Sequence, residues 1–285
     1  MGSPSGQKAL SRPSSVRFPR SVAARLSLAF IGLLVLCAAG ADVIAPCPVE
    51  QRTADRLLDS PSAEHLLGTD AQGRDVLSLI VHASRVAVIV GVGTTLLSML
   101  VGIPVGLLAG FSGGILDAVL MGTSEVVFAF PGILLALLLV FITQNPTVWT
   151  LVVALGATGW AGWARLTRGQ VLQERGKDYI LLARTAGAGT PRILAIHILP
   201  NITSVLLVQV SFSVGTAILA ESSLSFIGLG PQDAPSWGAM LSEGAALFLC
   251  SPYMATFSGL AVFLSVLAFN IVGDRLRDHA ARDAG

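Results

Sequence analysis

The hydrophobic positions of this chain fall into six long runs, separated by polar, glycine-rich or basic segments. A helix that crosses about 30 Å of hydrocarbon needs roughly 20 apolar residues. The runs lie at residues 21–44, 85–109, 116–142, 147–164, 202–220 and 256–272. We therefore predict an all-α integral membrane protein of about six transmembrane helices.

The composition agrees with this prediction and excludes a soluble enzyme. Hydrophobic residues make up 53% of the 285 residues and charged residues 12%, whereas soluble proteins average about 25% charged residues. Lysine and arginine are absent from residues 86–164 and again from residues 193–274. Two long tracts of the chain can therefore lie in a bilayer.

The basic residues predict the orientation, because cytoplasmic segments retain lysine and arginine. They cluster before the first span, between the fourth and fifth spans, and after the last span. The clusters are Lys8, Arg12, Arg17, Arg20 and Arg25; Arg165, Arg168, Arg175, Lys177, Arg184 and Arg192; and Arg275, Arg277 and Arg282. We expect a multi-pass protein of the bacterial inner membrane with both termini in the cytoplasm.

Local composition divides the chain into segments. Residues 1–20 mix serine and proline with basic residues, which predicts a disordered cytoplasmic tail. Residues 21–45 predict the first transmembrane helix, although their basic start and the small residues at 39–41 also resemble a cleavable signal peptide. Residues 46–84 predict a small periplasmic cap, and residues 274–285 predict a cytoplasmic tail.

The three cysteines do not have the spacing of a metal site. Cys47 and Cys250 are both predicted on the oxidising outer side and could form a disulfide, whereas Cys37 lies in the first span. The sequence therefore gives no metal ligands.

The basic segment at residues 173–201 has the punctuation of two short helices. Residues 178–186 predict the first helix, and Gly187 and Gly189 supply the left-handed backbone that ends a helix. The segment is either a protrusion for a cytosolic partner or an ordinary connecting loop.

Three residues predict where the second short helix begins and ends. Thr190 offers an N-cap oxygen, and Pro191 suits the first helical position because its missing N–H is harmless there. Pro200 is expected to separate this helix from the next span.

The outer stretch at residues 222–241 is apolar but cannot be a straight span. It is interrupted by Gly228, Gly230, Pro231, Pro235 and Gly238. Non-helical backbone at this polarity has to be covered by protein or line a cavity, so we expect the stretch to fold against the outer mouth of a pathway. A hydrophobic loop at the membrane interface is the alternative.

Two kinds of enzyme chemistry can be tested against the sequence. A phosphate-binding loop needs Gly-x-x-x-x-Gly-Lys followed by Ser or Thr, and neither Lys8 nor Lys177 has that context. Ser112 lies in a glycine-rich run that resembles the nucleophile motif of serine hydrolases, with His197 as the candidate base. A tight turn explains these glycines better, and an intramembrane serine protease is the rival interpretation.

Two carboxylates are candidates for a translocation pathway. Glu125 lies about two turns into the third span, where an ionised carboxylate is costly, so it is expected to line a pathway, carry a proton or form a structural pair. Glu221, followed by Ser222, lies at the outer end of the fifth span and is expected to snorkel or to contact solute. Pro131 predicts a kink in the third span.

Four sets of residues resemble the inner-membrane permeases of ABC importers, in the branch that handles dipeptides, oligopeptides and nickel. The sets lie at residues 65–70 and 73–78; 102–114 with Asp117 and 129–131; 220–226, 228–230 and 235–238; and 269–270, 273–274 and 276–278. The resemblance implies a type-1 ABC importer permease architecture with its core at residues 85–273. A proton-coupled transporter that works alone through Glu125 is a rival to this interpretation.

The basic segment resembles the coupling loop of that family, whose pattern is Glu-Ala-Ala, three residues, Gly, nine residues, Ile, one residue, Leu-Pro. The residues assigned to the loop are Ala183, Gly187, Thr190, Pro191, His197, Leu199 and Pro200. Leu181, Leu182 and His197 replace the Glu, the first Ala and the Ile, so the resemblance implies apolar docking rather than a charged contact. The arginines that would face an acidic or polar ATPase groove are Arg165, Arg168, Arg184 and Arg192. A solvated or lipid-phosphate-facing role is the alternative for each of them.

The resemblance also implies the partners. A second related permease would complete the pathway, two cytoplasmic ATPase subunits would bind ATP and Mg, and a periplasmic or lipid-anchored binding protein would deliver the solute. The chain itself would contact membrane lipid but would bind no cofactor and no nucleic acid. It would catalyse no chemical reaction. Peptides are the favoured solute, and nickel or a nickel chelate is the alternative, because the spans contain no cluster of metal ligands.

Overall fold

The structure is a computed structural model that describes residues 22–49, 51–52 and 56–283, the last four by their backbone alone. The helices are α1 (Val22–Ala39), α2 (Ala41–Ile44), α3 (Val76–Ser112), α4 (Gly114–Ala129), α5 (Gly132–Ile142), α6 (Val148–Glu174), α7 (Asp178–Thr185), α8 (Thr190–Arg192), α9 (Leu199–Leu224), α10 (Trp237–Ala246) and α11 (Pro252–Asp283). Two π-helical segments, Ile193–Ile198 and Ser225–Leu229, precede and follow α9. The tail predicted at residues 1–20 lies outside the described residues.

The all-α membrane architecture predicted from the hydrophobic runs is confirmed. Four helical stretches of the described chain are long and apolar enough to cross a membrane. They are Val22–Ala39, Val76–Ser112, Thr190–Leu229 and Pro252–His279. The bent pair α4 and α5 gives a fifth crossing if it forms one span, and α6 lies at the fourth predicted span. α6 has 27 residues but is less apolar, because glycine, threonine and tryptophan interrupt its hydrophobic positions.

α4 and α5 are the two halves of the third predicted span. They meet at Phe130 and Pro131 and are bent by 79°. The kink predicted from Pro131 is therefore confirmed, since proline cannot continue the hydrogen-bond ladder of α4 and holds Phe130 in extended backbone. The rest of the chain covers few side chains of this pair, and Ser124, Ala136 and Val140 are the buried ones among its described residues.

α3 begins at Val76, not at residue 85 as the hydrophobic run predicted. Its N-cap is Asp75, whose carboxylate accepts hydrogen bonds from the N–H and the hydroxyl of Ser78, both at 2.8 Å. The first two turns of α3 therefore belong to the helix and not to the outer segment. The sequence concealed this because Ser78 and Ser84 look solvated, although both are buried in the bundle.

The loop between α2 and α3 packs on the bundle as a small cap. The Tyr253 hydroxyl of α11 donates a hydrogen bond to the carbonyl oxygen of Leu58 at 2.7 Å. Inside the cap, the buried carboxylate of Asp70 accepts a hydrogen bond from Arg74 Nε at 2.6 Å. The cap is therefore held both to α11 and within itself.

Arg85 joins α1 to α3. Its Nε donates to the carbonyl oxygen of Ala38 at 2.8 Å, and its terminal nitrogens donate to the carboxylate of Asp42 at 2.9 and 2.7 Å. The hydrogen bond from Arg85 holds the pKa of Asp42 below its ordinary value. Leu34 is buried in the core that α1 shares with α3, α9, α10 and α11. These contacts favour a retained transmembrane helix over a cleavable signal peptide.

The most extensive helix contact, between α3 and α6, is lined by glycines at every fourth position of α3. Gly102, Gly106 and Gly110, the glycine seam, are buried against the backbone of α6. A Cβ atom at Gly106 would lie 2.5 Å from the carbonyl oxygen of Ala164 and 2.6 Å from the Cβ atom of Thr167. Glycine is thus required here by close approach of two membrane helices.

Gly106→Ala tests this close approach. We expect it to destabilise the detergent-solubilised protein by roughly 1–3 kcal/mol, the usual range for overpacking, because a backbone carbonyl cannot rotate away from the added methyl group. The measurement is thermal unfolding followed by tryptophan fluorescence. Gly169→Ala on α6 is the control, since its Cβ would meet nothing within 4 Å. Equal unfolding temperatures for the two variants would contradict the seam.

The Arg85 contacts predict that α1 stays in the mature protein. Intact-mass measurement of the protein purified from membranes should give a chain that retains residues 22–44. An N-terminus near residue 42 would show instead that a signal peptidase removes the first hydrophobic run.

Candidate functional site

Residues 178–198, the α7 protrusion, stand on a rigid base. Glu174 at the end of α6 accepts hydrogen bonds from Lys177 Nζ at 2.6 Å and from the Tyr179 hydroxyl at 2.5 Å. Burial, together with the hydrogen bond to Glu174, raises the pKa of Tyr179 to about 12, so the hydroxyl keeps its proton and remains a donor. Ile180 is fully buried in a core shared with α6 and α9.

The turn after α7 differs in part from its prediction. Gly187 has a φ of +85°, as predicted for the residue that ends the helix, and Ala188 N–H donates to the carbonyl oxygen of Ala183 at 3.0 Å. Gly189 has a φ of −69° and is the N-cap of α8, while Thr190 is its first residue and makes no capping hydrogen bond. A single left-handed residue is enough to end a helix. The sequence therefore could not show which of Gly187 and Gly189 adopts that conformation.

α8 continues through the first π-helical segment into α9. Pro191 lies in the first turn of α8, as predicted. The prediction that Pro200 separates the protrusion from the next span is wrong, because the helix runs through it. The wider π turns, which include His197, lie directly before Leu199 and Pro200 and accommodate a residue that lacks an N–H.

The α7 protrusion presents apolar side chains to its surroundings. Leu181, Leu182 and Ile196 are 50%, 68% and 57% exposed. Arg192 is exposed as well, whereas Ala183 packs against the buried core of the protrusion. Exposed apolar side chains on a rigid support are typical of a protein–protein contact.

Two arginines of the α6 end brace the neighbouring helices. Arg168 forms a bidentate ion pair with Asp117 of α4, at 2.6 and 2.7 Å. Arg175 donates a hydrogen bond to the carbonyl oxygen of Gly110 in α3 at 2.8 Å. The end of α6 is therefore tied to α3 and to α4.

Two further arginines lie over aromatic rings. Arg165 is 4.1 Å from the centroid of the Phe128 ring, and Arg184 is 4.7 Å from that of Phe111. Arg165 and Arg184 remain exposed, so the expectation that these arginines face an ATPase groove stays a prediction. The ends of α3 and α4 supply their partners, which spacing along the sequence could not reveal.

At the opposite end of the bundle, Glu221 and Ser222 are buried. Glu221 is 1% exposed, and its carboxylate accepts hydrogen bonds from the hydroxyls of Ser225 at 2.6 Å and Ser222 at 3.2 Å. Gly238 of α10 packs so closely that a Cβ atom there would overlap the carbonyl oxygen of Ser222. The expectation that Glu221 snorkels is wrong, because it is fixed in the joint between α9 and α10. Solute contact at Glu221 and Ser222 stays a prediction.

The prediction that residues 222–241 do not form a straight span is confirmed. Gly228 interrupts the second π-helical segment with a φ of +89°. α10 begins after Ser236, whose hydroxyl accepts a hydrogen bond from a backbone N–H of the first turn. Trp237 is buried and donates from Nε1 to the carbonyl oxygen of Ile80 at 3.0 Å, so the stretch folds back onto α3.

Glu125 lies exposed on α4, next to Ser124, whose hydroxyl donates to the carbonyl oxygen of Ala161 at 3.5 Å. No other side chain of the described residues forms a hydrogen bond or ion pair with Glu125. Its assignment to a pathway stays a prediction.

A polar groove of about 500 Å³ lies between α3, α6, α9 and the start of α5. Its hydroxyl residues are Thr94, Thr95, Ser98, Thr158, Ser213, Thr216 and Ser223, and none of the residues lining it is charged. The groove was not predicted from the sequence, because its lining residues carry no charge. The available signal was the spacing of Gln209, Ser213 and Thr216, which places three polar residues on one face of α9.

Two other expectations concern cysteines and metals. Cys37, Cys47 and Cys250 are all free, so the disulfide considered between the last two is not formed. Within the described residues, no three His, Cys, Asp or Glu side chains are grouped to hold a metal ion.

Residues 102–284 match the family described as the binding-protein-dependent transport system inner membrane component. The chain belongs to this family. It is 41% identical to the glutathione transport system permease protein GsiD of Pectobacterium atrosepticum over 92% of this chain and 87% of that protein. It is also 36% identical to the di/tripeptide transport system permease protein DppC of Pseudomonas aeruginosa, over 96% of this chain and 94% of that protein.

A third relative of this permease is the oligopeptide transport system permease protein OppC of Bacillus subtilis, 34% identical over 94% of this chain and 88% of that protein. The fold resembles a chain of the MetNI methionine ABC transporter in an inward-facing conformation, with a TM-score of 0.59 and 19% identity. This likeness covers 71% of the permease and 96% of that chain. The resemblance inferred from the motifs and the type-1 architecture are both confirmed.

Membership of this family makes the chain a transport permease and not an intramembrane serine protease. Ser112 is exposed at the end of α3. In the part of the chain that the structure describes, it forms no hydrogen bond with His197.

The Arg168–Asp117 ion pair is open to a double-mutant test. Asp117→Asn or Arg168→Gln should destabilise the permease by roughly 1–3 kcal/mol, toward the lower end because the Arg168 side chain is 34% exposed. The double variant should cost less than the sum of the single changes, because the two groups share one interaction. Thermal unfolding measures all three variants. Asp178→Asn, at an exposed position of α7, is the control, and additive effects would contradict the pair.

Proposed function

We propose that this chain is one permease subunit of an ATP-driven importer that takes up short peptides across the bacterial inner membrane. The observation that supports it most directly is the family match, together with the names of the relatives. Those names refer to glutathione, di- and tripeptides, and oligopeptides. Nickel and nickel chelates are less well supported, because none of these three relatives is named for a metal.

A second, related permease completes the pathway in this proposal. The polar groove is open on one side, where Thr216, Leu219 and Ile133 are exposed. Glu125 is exposed within a span, and an ionised carboxylate facing lipid is costly. A partner subunit that covers α4 and α5 would give Glu125 a protein or aqueous environment and enclose the groove.

Two cytoplasmic ATPase subunits, which bind ATP and Mg, drive transport by docking on the coupling loops of this permease and its partner. The support on this chain is the α7 protrusion, with Leu181 and Leu182 exposed on a buried base. Leucine stands where the family pattern has Glu and Ala, so the contact on this side is apolar. Gly187 and Pro191 shape the protrusion, and Arg192 adds a basic edge.

The proposed orientation places the N-terminus, the α7 protrusion and the C-terminus in the cytoplasm. The support is the clustering of basic residues on that side. The cap before α3 and α10 then face the periplasm, where a free or lipid-anchored binding protein delivers the solute. The cap and α10 also contact each other, since Gln72 Nε2 donates to Glu243 at 3.3 Å.

Uptake by the assembled transporter in proteoliposomes tests the proposal. A radiolabelled dipeptide should accumulate only when ATP is inside the vesicles and the binding protein is outside them, on the side of the cap and α10. Leu182→Asp should reduce ATPase co-purification and uptake at least about tenfold, because a charge at the centre of an apolar contact opposes docking. Leu66→Asp, at a residue 60% exposed in the cap on the opposite face, is the matched control and should leave ATPase co-purification unchanged.

Glu125→Gln separates this mechanism from proton coupling. In an ATP-driven importer the variant keeps uptake that requires ATP and ignores a protonophore. Dipeptide uptake by this chain alone, driven by a proton gradient and abolished by Glu125→Gln, would overturn the proposal. Accumulation of radioactive nickel in place of the dipeptide would overturn the assignment of solute.

A further inference from the structure

We propose that the polar groove holds the peptide in transit by hydrogen bonds from its N–H groups, and that these contacts do not select for side-chain charge. This proposal rests on the proposed function, because it names the site at which that solute passes. It assigns solute contact to uncharged residues of α3, α6 and α9 and not to Glu221 or Ser222.

The groove lies at the middle of the bundle. Thr94, Thr95 and Ser98 are in the central turns of α3, far from both of its ends. Gly132 and Ile133, the first residues after the break between α4 and α5, form another part of the wall. The groove therefore lies midway along α3, and one of its walls begins at the 79° bend between α4 and α5.

Most of the hydroxyl hydrogens in the groove are already used. Thr95 donates to the carbonyl oxygen of Gly91 at 2.8 Å, and Thr216 donates to that of Phe212 at 2.8 Å. Ser98, Thr158 and Ser223 likewise donate to helix carbonyl oxygens, at 3.3, 2.9 and 2.8 Å. A hydroxyl that has donated its hydrogen still offers oxygen lone pairs. The polar part of the wall is therefore mainly a set of acceptors, which suits peptide N–H and α-ammonium groups.

Thr94 is the exception and points to a ligand. It is 7% exposed, and its Oγ1 forms no hydrogen bond within the described chain. A buried hydroxyl without a partner is unfavourable, so a polar group in the groove would satisfy it. Ser213 accepts a hydrogen bond from Gln209 Nε2 at 3.3 Å, and its own hydrogen is not committed. These two hydroxyls can donate to a peptide carbonyl.

The absence of charge in the wall has a consequence for transport. A peptide carries an ammonium and a carboxylate group, and a fixed charge in the groove would hold one of them and slow release. Passage requires binding that is strong enough for entry and weak enough for exit. The groove offers hydroxyl oxygens as acceptors, donors at Thr94 and Ser213, and no fixed charge, so it accepts peptide backbones whatever their side chains.

Opposite charges introduced at Ser213 test the proposal in the assembled transporter. Uptake of Ala-Ala, Ala-Asp and Ala-Lys is measured for Ser213→Asp and Ser213→Lys, each normalised to the unmodified transporter. Ser213→Asp should depress Ala-Asp uptake at least about tenfold more than Ala-Lys uptake, and Ser213→Lys should do the reverse, because a fixed charge repels like charge at close range. Thr203→Asp and Thr203→Lys, at an exposed position of α9 outside the groove, should show no such difference.

A labelling experiment keeps the test independent of how well the charged variants fold. Ser213→Cys is made in a chain whose Cys37, Cys47 and Cys250 are replaced by serine, and is treated with a water-soluble methanethiosulfonate. Labelling should be at least about fivefold slower when dipeptide, binding protein and ATP are present, as expected for a contact the solute occupies. Leu207→Cys, at a residue exposed on α9 outside the groove, should be unaffected by dipeptide.

The outcomes separate the two proposals. Normal dipeptide uptake by the unmodified transporter, with Ser213 variants that treat the three peptides alike and a Ser213→Cys thiol that dipeptide does not protect, would overturn the groove assignment alone. Failure of the unmodified transporter to take up any of the three peptides would overturn the proposed function, and with it the peptide in the groove.

Discussion

The close packing of α3 on α6 sets the position of every functional part of this permease. Membrane helices gain no hydrophobic free energy by leaving lipid for one another, so their association depends on van der Waals contact over small residues. The glycine seam supplies that contact from Gly102 to Gly110 of α3. It places Arg168 and Arg175 over the ends of α4 and α3 and brings Gly159 of α6 against Ser98 at the wall of the groove.

A second constraint follows from the absence of water in the bilayer, where polar groups have to find hydrogen-bond partners within the protein. The carboxylate of Glu221 has such partners in the hydroxyls of Ser222 and Ser225, and it lies in the joint between α9 and α10. Most hydroxyls of the groove satisfy it by donating to helix carbonyl oxygens, which leaves their oxygen atoms available as acceptors. An ionisable residue in a span is therefore not by itself evidence of a pathway, and a row of half-satisfied hydroxyls is better evidence.

Local rules of sequence predicted those features whose causes are local. The hydrophobic runs gave the helices, Pro131 gave the break between α4 and α5, and Gly187 gave the end of α7. The start of α3 was missed because buried serines look like solvated ones until the bundle covers them. The pairing of Arg168 was missed because its partner lies 51 residues away in the chain. Burial of Glu221 depends in the same way on α10, which returns to α9 only in the folded protein.

The arrangement of these contacts defines which part of the permease can move without unfolding. Asp117, at the start of α4, is held to α6 by Arg168, and Val140, near the end of α5, is buried against α6 as well. The break at Pro131 lies between these two anchored points, and Gly132 directly after it lines the groove. A change in the bend would thus shift one wall of the groove while the glycine seam stays intact. α4 is joined to α6 by the Arg168–Asp117 ion pair, by the contact of Arg165 with Phe128 and by the hydrogen bond from Ser124 to Ala161. A displacement of the α7 protrusion would therefore reach that bend through α6.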